Sequence, residues 1–174
     1  GFQSVRNGEY VDKSGLIAGI NSTLNTERRF SCVARSRRFG KTMAAQMLQA
    51  YYDRSCDSRS LFSDLEIAGD SSFEQHLNKY PVISIDIGFF VGRHKDKAVL
   101  DSLNTEIIRE VSGVYPHVPV HEGDDLMQYL VRVSLETGEK LIFIIDEWDA
   151  ILRECGHIQY DERQTVADKY VDWL

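Results

Sequence analysis

Apolar positions along this chain follow two rhythms, and their alternation sets out its elements. Short apolar runs occur at Phe30, Cys32, Val33 and Ala34, at Pro81 to Phe90 (PVISIDIGFF) and at Leu141 to Asp149 (LIFIIDEWD). They are rich in Ile, Val and Phe and bounded by turn or charged residues, which predicts strands over 30–34, 82–87 and 141–146. Between them the spacing lengthens to that of a helix. Leu16, Ile17, Ile20 and Leu24 follow a Ser14 suited to capping, and Met43, Ala44, Met47, Leu48 and Tyr51 hold one face. Val99, Leu103, Ile107 and Val111 recur at steps of four within 96–112, and Leu126, Tyr129, Leu130 and Val133 run from an Asp124 cap to a closing Gly138. Asn7-Gly8 reads as a turn, Tyr10 to Lys13 as a short extended piece, 53–60 as turn and 61–81 as an excursion with one or two helical turns. The order strand, helix, strand, helices, strand predicts an α/β fold: a parallel sheet sandwiched by helices in three α/β/α layers, with right-handed crossovers.

Two strand ends carry candidate chemistry. The first predicted strand leads through a basic turn into Gly40-Lys41-Thr42 and a helix, the context that a phosphate-binding loop requires. In such a loop the backbone N–H groups of Arg37 to Gly40 surround a β-phosphate at the positive end of the new helix. Lys41 would reach the β- and γ-phosphates, and the Thr42 hydroxyl would ligate Mg²⁺. The nucleotide-binding set is then Arg37, Arg38, Phe39, Gly40, Lys41, Thr42 and Met43, although the Met43 side chain also falls among the core positions of the following helix. Arg35 occupies the first glycine position of the general GxxxxGK(S/T) pattern. By itself, GKT is equally compatible with a basic surface turn before a helix.

The third predicted strand ends in Asp146-Glu147. A buried parallel strand delivers its C-terminal residues to the crevice where α/β folds bind ligands. Asp146 would support the Mg²⁺ shell and Glu147 would polarise the attacking water, making Glu147 and Lys41 the catalytic candidates. Asp146 could instead serve only as the N-cap of a helix starting near Trp148. Lys-Thr after one strand and Asp-Glu after another coincide by chance far less often than either occurs alone. Asp86, inside the middle apolar run, either reaches that strand's C-terminal end and the site or pairs with an arginine as a structural ion pair.

Composition narrows the picture further. The 174 residues, 43% hydrophobic and 27% charged, suit one globular domain, read as an N-terminal helical segment (1–28) and a nucleotide-binding core (29–174). The net charge of −7 argues against nucleic-acid binding by the whole surface. The local cluster Arg28, Arg29, Arg35, Arg37 and Arg38 would serve a nucleotide's phosphates or those of a nucleic acid. Cys32, Cys56 and Cys155 form no CxxC pair, which fits a reducing cytoplasm with neither a disulfide framework nor a zinc site. No apolar run approaches the ~20 residues of a membrane span. The chain opens at Gly1 and stops at Trp173-Leu174, inside the helical region after the Asp-Glu strand, so we expect the N-terminal portion of a longer protein, its fold truncated on the C-terminal side.

A strand intervening between the Lys-Thr and Asp-Glu strands, with Glu directly after Asp, resembles the additional-strand, catalytic-glutamate branch of P-loop NTPases. More narrowly, YVDKSGLI, ARSRRFGKT, YPVISIDI and FIIDEWDAILRE are together similar to the predicted AAA-ATPase-like family found widely in bacteria. That family also lacks the first loop glycine and has a proline where this chain has Ser36. The resemblance spans nearly the whole chain. It implies ATP and Mg²⁺ as ligands and Mg²⁺-dependent ATP hydrolysis coupled to an effector. Its members often carry a C-terminal restriction-endonuclease-like nuclease domain. A sensor strand and an arginine finger would lie beyond Leu174. A homo-oligomer and nucleic acid stay open as partners. Two other functions stay open as well: a non-hydrolysing nucleotide-dependent switch, and a nucleic-acid-binding module built on the arginine cluster.

Overall fold

β1 (Val82–Asp86) and β2 (Ile142–Asp146) pair as a small two-strand parallel sheet packed against helices, and the chain around them is mostly helical. The computed structural model describes residues 1–34, 36, 39–93, 99–154 and 168–173. In chain order the helices are α1 (Phe2–Arg6), α2 (Gly15–Asn21), α3 (Lys41–Tyr52), α4 (Phe73–His76), α5 (Ile87–Arg93), α6 (Val99–Val114), α7 (Leu126–Thr137) and α8 (Ala150–Glu154). Short 3₁₀ turns at Arg59–Leu61 and Glu66–Gly69 precede α4, and residues 168–173 are helical. None of the described helices is long and apolar enough to cross a membrane.

The predicted strand at 30–34 is not in the sheet. Those residues carry no strand pairing, and Phe30 is 80% exposed with the Arg29 guanidinium 4.9 Å from its ring centre. An apolar run becomes a strand only by pairing, and β1 has β2 as its neighbour instead. The middle strand is also shorter than expected. Asp86 is its last residue, and its Oδ1 accepts from Phe89 N at 2.9 Å, so the apolar GFFV that follows coils into α5. Asp86 therefore stands at the strand end.

The chain divides into two compact units: Gly1–Ser84 with Lys140–Ile144, and Ile85–Glu139 with Ile145–Leu174. In the first, Ile17, Met47, Tyr51, Phe62, Ile67 and Ile144 belong to one core cluster. α1 packs on α3, and α2 packs on the second 3₁₀ turn. Asp12 ties these pieces together: its Oδ1 accepts from Ser14 N and its Oδ2 from Glu66 N, both at 2.8 Å. The Ser14 hydroxyl, expected to cap α2, accepts instead from Ile67 N at 3.1 Å. After α3 the chain returns toward β1 through a ladder in which Asn78 N donates to Tyr51 O at 2.7 Å and Tyr80 N to Tyr52 O at 3.0 Å.

In the second unit α6 packs on α7 and α5 on α8. Val99, Leu103, Ile107 and Val111 are buried on α6, and Leu126, Tyr129 and Val133 on α7, as their periodicity predicts. The cap of α7 is one residue later than expected. Asp125 forms a capping box with Gln128, while Asp124 binds the Arg132 guanidinium. Gly138 closes α7 in the left-handed conformation, φ 69°. Residues 96–98, the expected start of α6, lie outside the described residues.

Candidate functional site

The loop residues stand in the first unit and the acidic strand end in the second. Gly40 immediately precedes α3 with φ 78° and ψ 31°, a left-handed conformation that glycine adopts without steric penalty. Its carbonyl accepts from Ala44 N at 2.9 Å, so the helix is hydrogen-bonded from its first turn. Lys41 and Thr42 are the first two residues of α3, the Lys41 residue half-buried and Thr42 exposed. Phe39 is 64% exposed, and its amide donates to Ser36 O at 3.3 Å. Arg35, Arg37 and Arg38 lie outside the described residues.

Lys13 comes to this turn from the N-terminal segment. Its Nζ donates to Phe39 O at 3.3 Å and stands 3.2 Å from where a Cβ on Gly40 would be. A cavity of about 310 Å³ opens beside it, walled by Tyr10, Val11, Phe39, Met43, Ala44 and Met47 among others. Tyr10 Oη donates to Met47 Sδ at 3.3 Å across one side of this cavity. Burial raises the Tyr10 hydroxyl above the usual tyrosine range, against the lowering effect of the Lys13 amide. Sequence reasoning assigned no role to Tyr10 or Lys13. The signal was present in the YVDK stretch, but only the fold brings its lysine to Gly40.

At the acidic strand end Asp146 and Glu147 are half-buried, and Asp146 Oδ1 accepts from Glu147 N at 2.9 Å. This bond goes to the next residue and not to the first turn of α8, so the helix-capping alternative for Asp146 has no support here. Glu147 has φ 51°, a left-handed conformation that a residue with a Cβ enters at a penalty of roughly 1–2 kcal/mol. Its carbonyl accepts from Ala150 N at 2.8 Å, opening α8. A Cβ on Gly88 would stand 3.3 Å from Glu147 Cβ and 3.3 Å from Asp86 Oδ1. The absence of a side chain at Gly88 thus lets Asp86 and Glu147 share this end of the second unit.

Arg153, on α8, holds two of these carboxylates: Nη2 lies 2.6 Å from Glu147 Oε2, and Nη1 pairs with Asp149. The bonds to Asp149 and then Glu147 raise the guanidinium's proton affinity further above its ordinary value. Sequence reasoning gave Arg153 no role, although its step of four from Asp149 is a recognisable helical pairing. Tyr170 is buried and donates to Trp148 O, with burial pushing its hydroxyl well above the usual range.

The donors assigned to Mg²⁺, the Thr42 hydroxyl and the Asp146 carboxylate, have the right chemistry for it, since Mg²⁺ is held by one or two protein oxygens together with phosphates and water. Among the described residues no group of three or more His, Cys, Asp and Glu could hold a metal ion by itself. Cys32 and Cys56 are free and exposed, and Cys155 lies outside the described residues.

Comparison with known proteins adds one match. The model of a family described as predicted AAA-ATPase (AAA-ATPase_like) matches residues 2–174. No curated protein and no solved structure matches the chain.

Proposed function

The chain belongs to the predicted AAA-ATPase family, and on that premise we propose that it binds ATP with Mg²⁺ and hydrolyses it as a P-loop ATPase of the catalytic-glutamate branch. The observation that carries this reading is the left-handed Gly40 placed directly before Lys41 and Thr42 on the first turn of α3. The first N–H groups of a helix have no partner within the helix itself, and such donors are the ones that a phosphate needs.

Each residue has a role in this reading. Lys41 neutralises charge developing on the β- and γ-phosphates, with the backbone of Arg37 to Met43 as donors. Thr42 and Asp146 are the residues that would hold Mg²⁺, which would supply neutralisation of the phosphate charge. Glu147 accepts the proton of a water whose oxygen bonds to the γ-phosphorus as the bond to the β,γ-bridging oxygen breaks, leaving ADP and phosphate. Arg37 and Arg38 have side chains suited to phosphate. Residues 29–174 act as the nucleotide-binding core of a three-layer fold in a cytoplasmic protein, and 1–28 as its N-terminal segment. A homo-oligomer or a C-terminal effector such as a nuclease would use the energy released.

Calorimetric titration of the chain with Mg²⁺ and a non-hydrolysable ATP analogue, beside Lys41→Ala, tests this. The parent binds and the variant loses at least tenfold in affinity. Binding that is equal in both removes the loop from the function.

A second reading, a switch that binds nucleotide without turning it over, is favoured by one observation: the Glu147 carboxylate is engaged by Arg153 at 2.6 Å. Tight Mg²⁺-dependent binding without phosphate release separates it from the first.

A further inference from the structure

We propose that Tyr170 is a positioning residue for the catalytic carboxylate: its hydroxyl fixes the turn that aims Glu147. The inference rests on the hydrolysis reading above and deepens it, adding a residue that neither strand-end motif contains.

Strain at Glu147 is the first argument. Among the described residues three that are not glycine have positive φ: Asn25, Asn78 and Glu147. Asparagine enters the left-handed region readily, because its short amide bonds to nearby backbone, whereas glutamate has no such compensation. A residue strained in this way persists only where its surroundings hold it. Relaxation to negative φ would swing the Glu147 Cα–Cβ bond to a new direction and carry the carboxylate with it. The bonds around the turn supply the second argument. Asp146 Oδ1 accepts from Glu147 N, Glu147 O accepts from Ala150 N, and Arg153 binds the Glu147 carboxylate. These partners all lie within residues 146 to 153. Ala150 and Ile151 are each 1% exposed, so packing fixes α8, but Trp148 is 45% exposed and its ring anchors the turn little. The hold is on the Trp148 carbonyl, which accepts from Tyr170 Oη, 22 residues further along the chain. That oxygen belongs to the peptide group following Glu147's own, so a fixed donor on it resists rotation of the turn.

The third argument is the rigidity of that donor. Tyr170 is fully buried and stacks on Trp173, with ring centres 5.9 Å apart and planes at 16°. Trp173 Nε1 in turn donates to Asn104 Oδ1 on α6 at 2.7 Å. The phenol is thus braced from the 16-residue helix α6 of the same unit, and not from the acidic strand end itself. Burial first, and the Asp149 charge second, raise the Tyr170 hydroxyl well above the usual tyrosine range. It therefore keeps its proton at neutral pH and acts only as a donor to the Trp148 carbonyl, with no part in proton transfer.

The test separates positioning from stability. kcat and KM for Mg²⁺-ATP are measured by phosphate release in the 174-residue chain, in Tyr170→Phe and in Asp124→Asn, with hydrogen exchange of the Ala150 amide followed in parallel. Tyr170→Phe keeps the ring and removes only the hydroxyl. It lowers kcat about tenfold, changes KM less than about twofold and speeds Ala150 exchange about tenfold, the scale of one net hydrogen bond. Asp124→Asn loosens the same unit away from the turn and keeps the parent's kcat at a temperature where all three proteins are folded. An unchanged kcat in Tyr170→Phe, a loss that falls on KM instead, or an equal loss in Asp124→Asn overturns the positioning role and leaves the nucleotide reading standing. A parent that binds Mg²⁺-ATP without releasing phosphate overturns the hydrolysis reading and the role of Tyr170 together. Should Tyr170→Phe lose its cooperative thermal transition, Asn104→Leu, which removes the acceptor that braces Trp173, replaces it and is read by the same split between kcat and KM.

Discussion

Arg153 Nη2 stands 2.6 Å from Glu147 Oε2 while its other nitrogen binds Asp149, so one guanidinium holds the proposed catalytic carboxylate against the helix that follows it. Glu147 is also fixed at its backbone, with φ 51° and its carbonyl bonded to Ala150 N. A carboxylate engaged in this way is a poorer acceptor for a water proton.

Arg153→Gln therefore raises the rate of phosphate release severalfold over the parent, and Glu147→Gln abolishes it while retaining nucleotide binding. The fold barely notices Arg153→Gln. Its ion pair with Glu147 is 34% and 39% exposed at the two side chains, where such pairs contribute ~0–1 kcal/mol. Equal release rates in parent and Arg153→Gln remove Arg153 from control of the base.

Gly40→Ala tests the loop conformation directly. Alanine meets a backbone penalty of roughly 1–2 kcal/mol at φ 78°, and its Cβ would come within 3.2 Å of Lys13 Nζ. Urea unfolding should show a loss of about that size, with nucleotide affinity falling as well. A variant as stable as the parent would mean that the turn relaxes out of the left-handed region.

Legibility in the sequence followed the kind of interaction that makes each element. α3, α6 and α7 were readable because a buried helical face is written at steps of three and four, and Val99, Leu103, Ile107 and Val111 are buried together. β1 and β2 were readable as dense apolar runs. The predicted strand at 30–34 was not sustained, because pairing is a property of two segments and periodicity describes one. α5 was missed for a related reason: GFFV has strand propensity, and only the bond from Phe89 N to Asp86 Oδ1 shows that the chain turns there. At the site, the order Gly40, Lys41, Thr42 and the pair Asp146, Glu147 were legible as motifs. Lys13, brought beside Gly40 from 27 positions earlier (40 − 13), was not, since nothing local encodes that approach.

Asn21 carries the polar centre of the first unit. At 6% exposure it donates to Tyr51 Oη at 3.2 Å and Ser72 Oγ at 2.8 Å, and accepts from Tyr52 Oη at 2.7 Å. Burial drives both phenols up, Tyr51 to about 12 and Tyr52 further. Removing Asn21 leaves the Tyr52 hydroxyl without that acceptor, whereas Tyr51 keeps its bond to Phe73 O at 2.8 Å. One orphaned buried hydroxyl plus a small void predicts that Asn21→Ala loses about 2–4 kcal/mol in urea unfolding. A loss below about 1 kcal/mol would show that water reaches the phenols.

Asp124 supplies the clearest pH signature. The Arg132 guanidinium binds both its oxygens, at 2.5 and 2.8 Å, and His121 N donates to it at 2.7 Å. These donors, Arg132 foremost, hold its carboxyl well below the usual carboxylate range despite the opposing effect of burial. A carboxylate depressed in the folded state adds stability that is fully present above its unfolded value of about 3.9 and declines as pH falls toward the folded value. Asp124→Asn should accordingly lower the thermal midpoint of the chain at pH 7. The gap between parent and variant should hold steady down to about pH 5 and narrow below about pH 4, as the parent takes up the proton that the asparagine cannot. Comparing the two proteins at each pH cancels the titration of Asp12, Asp64, Asp70 and Glu74, which are also depressed. A gap that stays constant to about pH 2.5 would show that the link between α7 and the turn before it does not depend on the Asp124 charge.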